Sequence, residues 1–230
     1  MTDTRTYGEA PYRAVVVHGG PGAPGCAAGL CKALEPFCST VEHLQKAYTA
    51  EGLMNELLAL MEEYQMEKTV LIGHSYGAWL SILFAEKYPD RVSKLILIGS
   101  GPLRQEYLDG IIRTRNSRRK QGLDTDNYCP LPGSGGDMLY FDEEQYMALM
   151  TEATMLREKG VLLERALNVK CPMTMIHGEY DPHPAAGSAG LLEGKLPHFH
   201  SYLLSKCGHD PWKETYAREE FIRIMEEELK

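Results

Sequence analysis

A serine flanked by glycines, placed between an apolar run and a helical pattern, constrains this chain more than any other feature. The motif is Gly73-His74-Ser75-Tyr76-Gly77; the apolar residues 69–73 lead into it and residues 78–87 follow it. Glycines two places before and after a serine permit a very tight turn from a strand into a helix. A serine in such a turn is strained and exposes its hydroxyl at the end of the strand. The motif therefore predicts a nucleophile at Ser75 on a sheet covered by helices.

The rest of the chain alternates between strand and helix patterns. Strand-like runs occupy residues 14–18, 69–73, 94–99, 172–177 and 198–204, and helical patterns occupy 27–37, 51–64, 78–87 and 213–230. This alternation predicts an α/β fold with a mostly parallel sheet and helices on both faces. Ligands of such sheets bind beyond the carboxyl ends of the strands, which is where the glycine-rich and polar clusters of this sequence fall.

One long segment breaks the alternation. Residues 103–169 hold two helical patterns, about 104–120 and 142–167, separated by a Gly- and Pro-rich stretch at 122–141. Irregular stretches of that length are usually functional or mobile. We therefore predict an α/β core made of residues 1–102 and 170–230, with 103–169 inserted as a small helical cap over the site.

Composition narrows the partners. The 230 residues carry a net charge of −8, which argues against nucleic acid or an anionic membrane surface as a partner. We found no apolar run of the length of a membrane span or signal peptide, so we expect a cytoplasmic protein that acts on a small molecule. The six cysteines lack zinc-type spacing, and His198 and His200 share a strand face without a third ligand, so neither a metal nor a cofactor is expected.

A serine hydroxyl needs a neighbouring base, and a histidine base needs an orienting acid. His177-Gly-Glu-Tyr-Asp181-Pro follows one strand run, and Cys207-Gly-His209-Asp-Pro follows the last one. Because these loops leave the same edge of a parallel sheet as the serine, we predict that Asp181 and His209 complete a triad with Ser75. Glu179 is the competing acid, but it lies earlier in the loop.

Acyl transfer through a serine also needs donors for the developing oxyanion. His18-Gly-Gly-Pro-Gly22 follows the first strand run, and its glycines let the backbone approach a substrate closely. We predict that the oxyanion hole is formed by the backbone N–H groups of Tyr76 and Gly20.

Together the motifs HGGPG, GHSYG, HGEYDP and GHDPW resemble those of the α/β-hydrolase superfamily, over residues 14–101 and 170–230. The HGGPG form is similar to that of proline iminopeptidases. The resemblance implies the α/β-hydrolase fold and hydrolysis of a small acyl substrate through an acyl-enzyme, without a cofactor. Two departures stand out. Only 13 residues precede the first strand run, which predicts a shortened N-terminal sheet edge, and residues 42–49 lack a segment that many relatives carry.

Several alternatives remain open at this level. The substrate is a carboxylic ester or a small amide or peptide; an iminopeptidase-like activity, a carbon–carbon-bond hydrolase and a ligand-binding module without turnover are alternatives. The basic run at residues 113–120 is a solvated helix face or a site for a carboxylate or phosphate. Methionines of the inserted segment either belong to the core or line a substrate pocket. Acidic residues of the same segment either face solvent or bind a substrate amine. The methionines are Met138, Met147, Met150 and Met155, and the acids are Glu106, Asp109, Glu143, Glu144 and Glu152.

Overall fold

Seven strands form a single sheet in a computed structural model of the chain, which describes residues 3–135 and 137–230. The strands are β1 (Thr4–Tyr7), β2 (Ala14–Val17), β3 (Thr40–His43), β4 (Thr69–His74), β5 (Val92–Ile98), β6 (Met173–Gly178) and β7 (Phe199–Leu204). Their spatial order is β1-β3-β2-β4-β5-β6-β7. Strand β1 pairs antiparallel with β3, and all other neighbours are parallel. The predicted α/β class with a mostly parallel sheet is confirmed.

The helices are α1 (Ala28–Leu34), α2 (Ala50–Glu63), α3 (Tyr76–Lys87), α4 (Leu108–Lys120), α5 (Glu143–Glu158), α6 (Val161–Asn168), α7 (Ala189–Leu192) and α8 (Arg218–Glu228). They cover both faces of the sheet, because alternate strand residues point to opposite sides. Val15, Val17 and Leu71 belong to one buried cluster, with residues of α2, α3 and α6. Val16 and Ile72 belong to the other, with residues of α1 and α8. The core therefore consists of two layers separated by the sheet.

The sequence patterns missed strands β1 and β3. Strand β3 reads Thr-Val-Glu-His and is buried throughout, so it shows neither an apolar run nor alternation. Burial of Glu42 is satisfied by hydrogen bonds, since its carboxylate accepts from the Tyr7 hydroxyl at 3.0 Å and from the Ala27 N–H at 3.1 Å. The N-terminal edge of the sheet thus consists of one short antiparallel strand ahead of β2.

Over its described residues, the inserted segment contains three α-helices rather than two. The helix predicted over 142–167 is broken at Gly160, which adopts φ +73° between α5 and α6. Leu149 and Ala153 of α5 and Leu162 of α6 are buried in the same cluster as α3. Helices α5 and α6 therefore share the main core, whereas α4 buries only Ile111.

The irregular stretch between α4 and α5 is tied to the core by its backbone. Leu139 N–H donates to the Pro24 carbonyl at 2.9 Å, and Asp142 N–H donates to the Gly22 carbonyl at 2.7 Å. These bonds hold the stretch against the glycine-rich loop that follows β2. In the part of the chain that the structure describes, no helix is long and apolar enough to cross a membrane.

Gly77 marks the tightest contact between a helix and the sheet. A Cβ atom at this position would overlap the carbonyl oxygens of Val17 and His18, which are backbone atoms and cannot turn away. We expect Gly77→Ala to lower the free energy of unfolding by about 3 kcal/mol, at the upper end for overpacking. Chemical denaturation measures this, with Gly110→Ala on α4 as the control.

A Cβ at Gly110 meets nothing within 4 Å. Alanine in an exposed helix is favoured over glycine by about 0.5–1 kcal/mol, so Gly110→Ala should be neutral or stabilising. Equal stability of the two variants would contradict the close packing of α3 on β2.

Candidate active site

Ser75 occupies the sharp turn between β4 and α3. Its backbone has φ 54° and ψ −115°, a conformation that residues other than glycine rarely adopt. The turn requires small neighbours: a Cβ at Gly73 would lie 2.5 Å from the Gly77 carbonyl oxygen, and one at Gly19 would lie 2.6 Å from the Ser75 Cβ. Among the described residues the Ser75 hydroxyl has no hydrogen-bond partner, and Ser75 lines a cavity of about 600 Å³. The glycine spacing thus gives the strained, cavity-facing serine that the sequence predicted.

Asp181 and His209 meet across the carboxyl ends of β6 and β7. His209 Nδ1 lies 2.8 Å from Asp181 Oδ2, and the Asp181 side chain is fully buried. A carboxylate only accepts, so His209 Nδ1 carries the proton and Nε2 is the basic nitrogen when the ring is neutral. His209 lines the same cavity as Ser75. The Asp181–His209 pair therefore has the polarity that a general base requires.

Electrostatics around His209 favour its cation. Burial alone disfavours a charged ring, but the charge of Asp181, its hydrogen bond and the charges of Asp210 and Asp126 outweigh burial and raise the pKa of His209 to about 8. For Asp181, burial acts in the opposite direction from its neighbours. The charge of His209 and the hydrogen bonds from His183 and His209 win, and they hold the pKa of Asp181 well below its usual range. Asp181 is therefore an anion at neutral pH.

The structure brings Ser75 and His209 to one cavity but shows no hydrogen bond between their side chains among the residues described. Two consecutive residues at the end of β5 lie next to both of them. Ser75 N–H donates to the Ile98 carbonyl at 2.9 Å, and a Cβ at Gly99 would lie 3.0 Å from His209 Nδ1. Glu179, the competing acid, is exposed and its N–H bonds to the Leu204 carbonyl instead. Of the two acids, Asp181 is the one that contacts His209.

The two predicted oxyanion donors also face this cavity. Gly20 and Tyr76 both line it, and Gly20 adopts φ +61°, in the region that favours glycine. Tyr76 is the first residue of α3, where backbone N–H groups lack partners within the helix. The Gly20 N–H likewise forms no backbone hydrogen bond among the described residues, while the Gly20 carbonyl accepts from Ala23 N–H at 3.0 Å.

Sequence reasoning missed His183 as a partner of the acid. Its Nδ1 lies 2.7 Å from Asp181 Oδ1, its backbone N–H lies 2.9 Å from the same oxygen, and the ring lines the cavity. The signal was the Asp-Pro-His sequence, because an aspartate often accepts from the backbone N–H two residues on.

His74 and Asp210 form a second polar pair behind His209. His74 Nε2 lies 3.2 Å from the His209 carbonyl oxygen and 3.3 Å from Asp210 Oδ1. The His74 ring packs on Trp212 at 4.8 Å between centroids. Burial, followed by the charge of His209, lowers the pKa of His74 to about 3, so this ring is neutral. His74 lies beside the serine turn, and it supports the loop that carries His209.

Glu214 holds two segments beside the cavity through hydrogen bonds, and the sequence analysis did not predict this role. Its buried carboxylate accepts from the N–H groups of Tyr128, Cys129 and Gly208, at 2.7, 2.8 and 2.6 Å. Gly208 immediately precedes His209, so one side chain ties the irregular stretch to the loop that carries His209. No spacing in the sequence connects residues 128 and 214.

Of the side chains in the inserted segment, a few reach the cavity. Arg115 and Asp126 line it and are paired, with Nε of Arg115 2.8 Å from Asp126 Oδ1. Tyr146 and Met150 of α5 line it as well. The acids proposed for a substrate amine do not line it, and Glu152 accepts from the Ala50 N–H at 2.8 Å instead. The cavity therefore combines polar residues beside His209 with an aromatic and apolar part beside Tyr76.

One group of described residues has side chains close enough together to be considered as a metal site. It consists of Asp181, His183 and His209, whose potential ligand atoms lie within 4.8 Å of one another. Both rings already donate Nδ1–H to the carboxylate, at 2.7 and 2.8 Å. A ring nitrogen that carries a proton has no lone pair to offer to an ion. The arrangement fits hydrogen bonds better than metal coordination.

The raised pKa of His209 predicts an alkaline activity profile. Only the neutral ring can accept a proton, so kcat/KM is expected to rise with pH around an apparent pKa of about 8. Initial rates on a p-nitrophenyl ester, corrected for ionisation of the product, measure this profile. A midpoint at or below the ordinary histidine value of about 6.5 would contradict the assigned electrostatics.

Comparison with known proteins agrees with this architecture. Residues 29–123 match the family model described as the alpha/beta hydrolase fold. The meta-cleavage product hydrolase of Pseudomonas fluorescens IP01 superposes with a TM-score of 0.64 at 19% identity, covering 98% of this chain and 93% of that one. The chain therefore has the α/β-hydrolase fold.

Curated relatives match over shorter stretches. Protein ABHD8 of Bos taurus is 40% identical over 65 residues, which is 28% of this chain and 15% of that protein. The uncharacterized hydrolase YugF of Bacillus subtilis is 25% identical over 197 residues, which is 76% of this chain and 71% of that protein. This chain thus spans under a sixth of ABHD8 but most of YugF.

Proposed function

We propose that this chain is a serine hydrolase that cleaves a small acyl substrate through an acyl-enzyme formed on Ser75. The observation that carries the proposal is the 2.8 Å contact of His209 Nδ1 with the buried carboxylate of Asp181, in a cavity that the strained Ser75 also lines. A buried acid, an imidazole whose other nitrogen has no hydrogen-bond partner among the described residues, and a serine on a tight turn are the parts of a nucleophilic triad.

In the proposed reaction His209 Nε2 takes the Ser75 proton as Oγ attacks the acyl carbon. The resulting imidazolium is stabilised by Asp181, and it gives the proton to the leaving group as the bond to that group breaks. A water molecule then attacks the acyl-enzyme with His209 again as base, and the acid is released. Neutral His209 starts each cycle, which is why the pKa of about 8 matters for the rate.

The oxyanion formed at each step would lie near the backbone N–H groups of Gly20 and Tyr76. Neither N–H group has another partner in the part of the chain that the structure describes, which supports this role, since preorganised donors cost no reorganisation during reaction. Removal of one such donor typically costs about 3 kcal/mol of transition-state stabilisation. The positive φ of Gly20 and the N-terminal place of Tyr76 in α3 make both donors features of the backbone.

We further propose that residues 103–169 act as the cap over this site. Their contribution to the cavity lining, through Arg115, Asp126, Tyr146 and Met150, supports this. A cavity of about 600 Å³ is in the size range of small-molecule sites. Because His209 protonates the leaving group, that group is expected among the polar residues near His209, and the acyl group beside Tyr76 and Trp79.

A substrate panel tests the proposal. We expect hydrolysis of short p-nitrophenyl esters, with activity on small amides as the open question. Preference for proline nitroanilide would favour an iminopeptidase-like enzyme, whereas activity on a β-diketone alone would favour carbon–carbon-bond hydrolysis. Turnover of none of these by the folded protein would favour a ligand-binding module.

The surroundings of Arg115 suggest one further substrate for the panel. Its Nε and Nη2 both contact Asp126 Oδ1, and its Nη1 has no hydrogen-bond partner among the described residues. A guanidinium with a free N–H group recognises carboxylates well. An ester whose leaving group bears a carboxylate is therefore included, and a KM lower than that of its neutral analogue would support Arg115 as a recognition residue.

A further inference from the structure

The carboxylate of Asp181 is shared by two imidazoles. Oδ2 contacts His209 Nδ1 at 2.8 Å, and Oδ1 contacts His183 Nδ1 at 2.7 Å. The two rings lie 4.6 Å apart between centroids and are inclined by 35°. A triad needs only one imidazole, so the second ring calls for an explanation of its own.

The geometry fixes what His183 donates. Its backbone N–H and its Nδ1 both contact Oδ1 of Asp181, which leaves Oδ2 to His209. The backbone of His183 is held in turn, because His177 Nε2 lies 2.6 Å from the His183 carbonyl oxygen. His183 is nearly buried, with a side-chain exposure of 12%. Two donors of His183 therefore hold the carboxylate that faces His209.

We propose that His183 is a positioning residue for the hydrolysis proposed above, on which this inference rests. It holds Asp181 in register with His209, and by donating to Oδ1 it draws part of the carboxylate's charge away from His209. A less basic Asp181 stabilises the His209 cation less, so a larger fraction of His209 is neutral and able to act as a base at neutral pH.

The electrostatic surroundings agree with this division of roles. Burial, together with the charge of His209, lowers the pKa of His183 despite its bond to Asp181. The two rings cannot both be cations so close together, and His209 is the one whose pKa is raised. The titratable and charged groups around His209 come from several elements. They are Asp181 and His183 after β6, His177 within β6, His74 at the end of β4, Asp126 with Arg115 from the inserted segment, and Asp210 with Lys213 on its own loop.

Titration of His209 by NMR in histidine-labelled protein tests the inference without reference to turnover. A His209→Gln variant assigns its signals among the eight histidines. We expect His183→Leu, which removes the side-chain donor, to raise the pKa of His209 by roughly one unit. His183→Asn places an amide N–H near the position of Nδ1 and should restore a value within about 0.3 unit of the unmodified protein.

The kinetic profile gives a second readout. A shift of roughly one unit lowers kcat/KM at neutral pH by about tenfold in His183→Leu, with recovery at alkaline pH. A merely structural loss would lower activity at every pH and leave the midpoint in place. Should His183→Leu fail to fold, His183→Gln serves instead, since its amide nitrogen reaches the position of Nε2 rather than Nδ1.

The outcomes separate the two proposals. An unchanged pKa of His209 in folded His183→Leu or His183→Gln overturns the positioning role, whatever the activity. A raised pKa in a protein that hydrolyses no substrate supports the shared carboxylate while the proposed hydrolase function fails.

Discussion

Ser75→Ala is expected to lower kcat on any ester substrate by about 10⁴- to 10⁶-fold, because the acyl-enzyme cannot form without Oγ. The residual rate would come from the oxyanion donors and the binding cavity alone. Alanine keeps the Cβ, so the strained backbone at φ 54° is retained and the fold should be unaffected. Steady-state rates and thermal unfolding measured on the same preparation separate loss of chemistry from loss of structure.

Two controls sharpen this prediction. Ser117→Ala changes an exposed serine on α4 and should leave the rate unchanged. Ser75→Gly removes the same hydroxyl but also relieves the strain of a positive φ, which costs of order 1–3 kcal/mol. We therefore expect Ser75→Gly to be inactive yet more stable than Ser75→Ala. Substantial turnover by either variant would exclude Ser75 as the nucleophile.

Asp181→Asn is the second substitution with a large expected effect, a drop in kcat of about 10⁴-fold. Asparagine replaces one oxygen by an NH₂ group. The backbone N–H of His183, 2.9 Å from Oδ1, needs an acceptor and so keeps the amide oxygen at that position. The NH₂ group then faces His209 Nδ1, which must become an acceptor. The ring is left protonated on Nε2, the nitrogen that has to take the Ser75 proton.

The matched control is Glu179→Gln, two residues earlier in the same loop and exposed. It removes a carboxylate without touching His209 and should retain nearly full activity. NMR signals of the His209 ring nitrogens measure the tautomer directly in Asp181→Asn. Retention of the Nδ1–H tautomer with full activity would contradict the role given to Asp181.

The parts of the site that the sequence revealed are those fixed by local chain geometry. Glycine spacing around Ser75 predicts a turn because only small residues fit beside the neighbouring backbone. The sequence predicted that Asp181 and His209 lie together because each follows a strand in a sheet whose carboxyl ends converge. The structure places their side chains 2.8 Å apart.

What the sequence did not reveal depends on contacts between distant segments. Strand β3 carries a buried Glu42 that only its hydrogen bonds to Tyr7 and Ala27 make tolerable. The cavity wall at residues 124–127 is positioned through Glu214, far away in the chain. His183 shows the same limit, because its second contact to Asp181 depends on the rotamer of a ring inside the fold.

Labelling with a fluorophosphonate, followed by peptide mapping, shows whether Ser75 is a nucleophile activated by His209. We expect one covalent adduct, on Ser75, formed at a rate that falls by orders of magnitude in His209→Gln and follows the deprotonation of His209. A folded protein that takes up no label, or that is labelled equally fast without the imidazole at position 209, would contradict it.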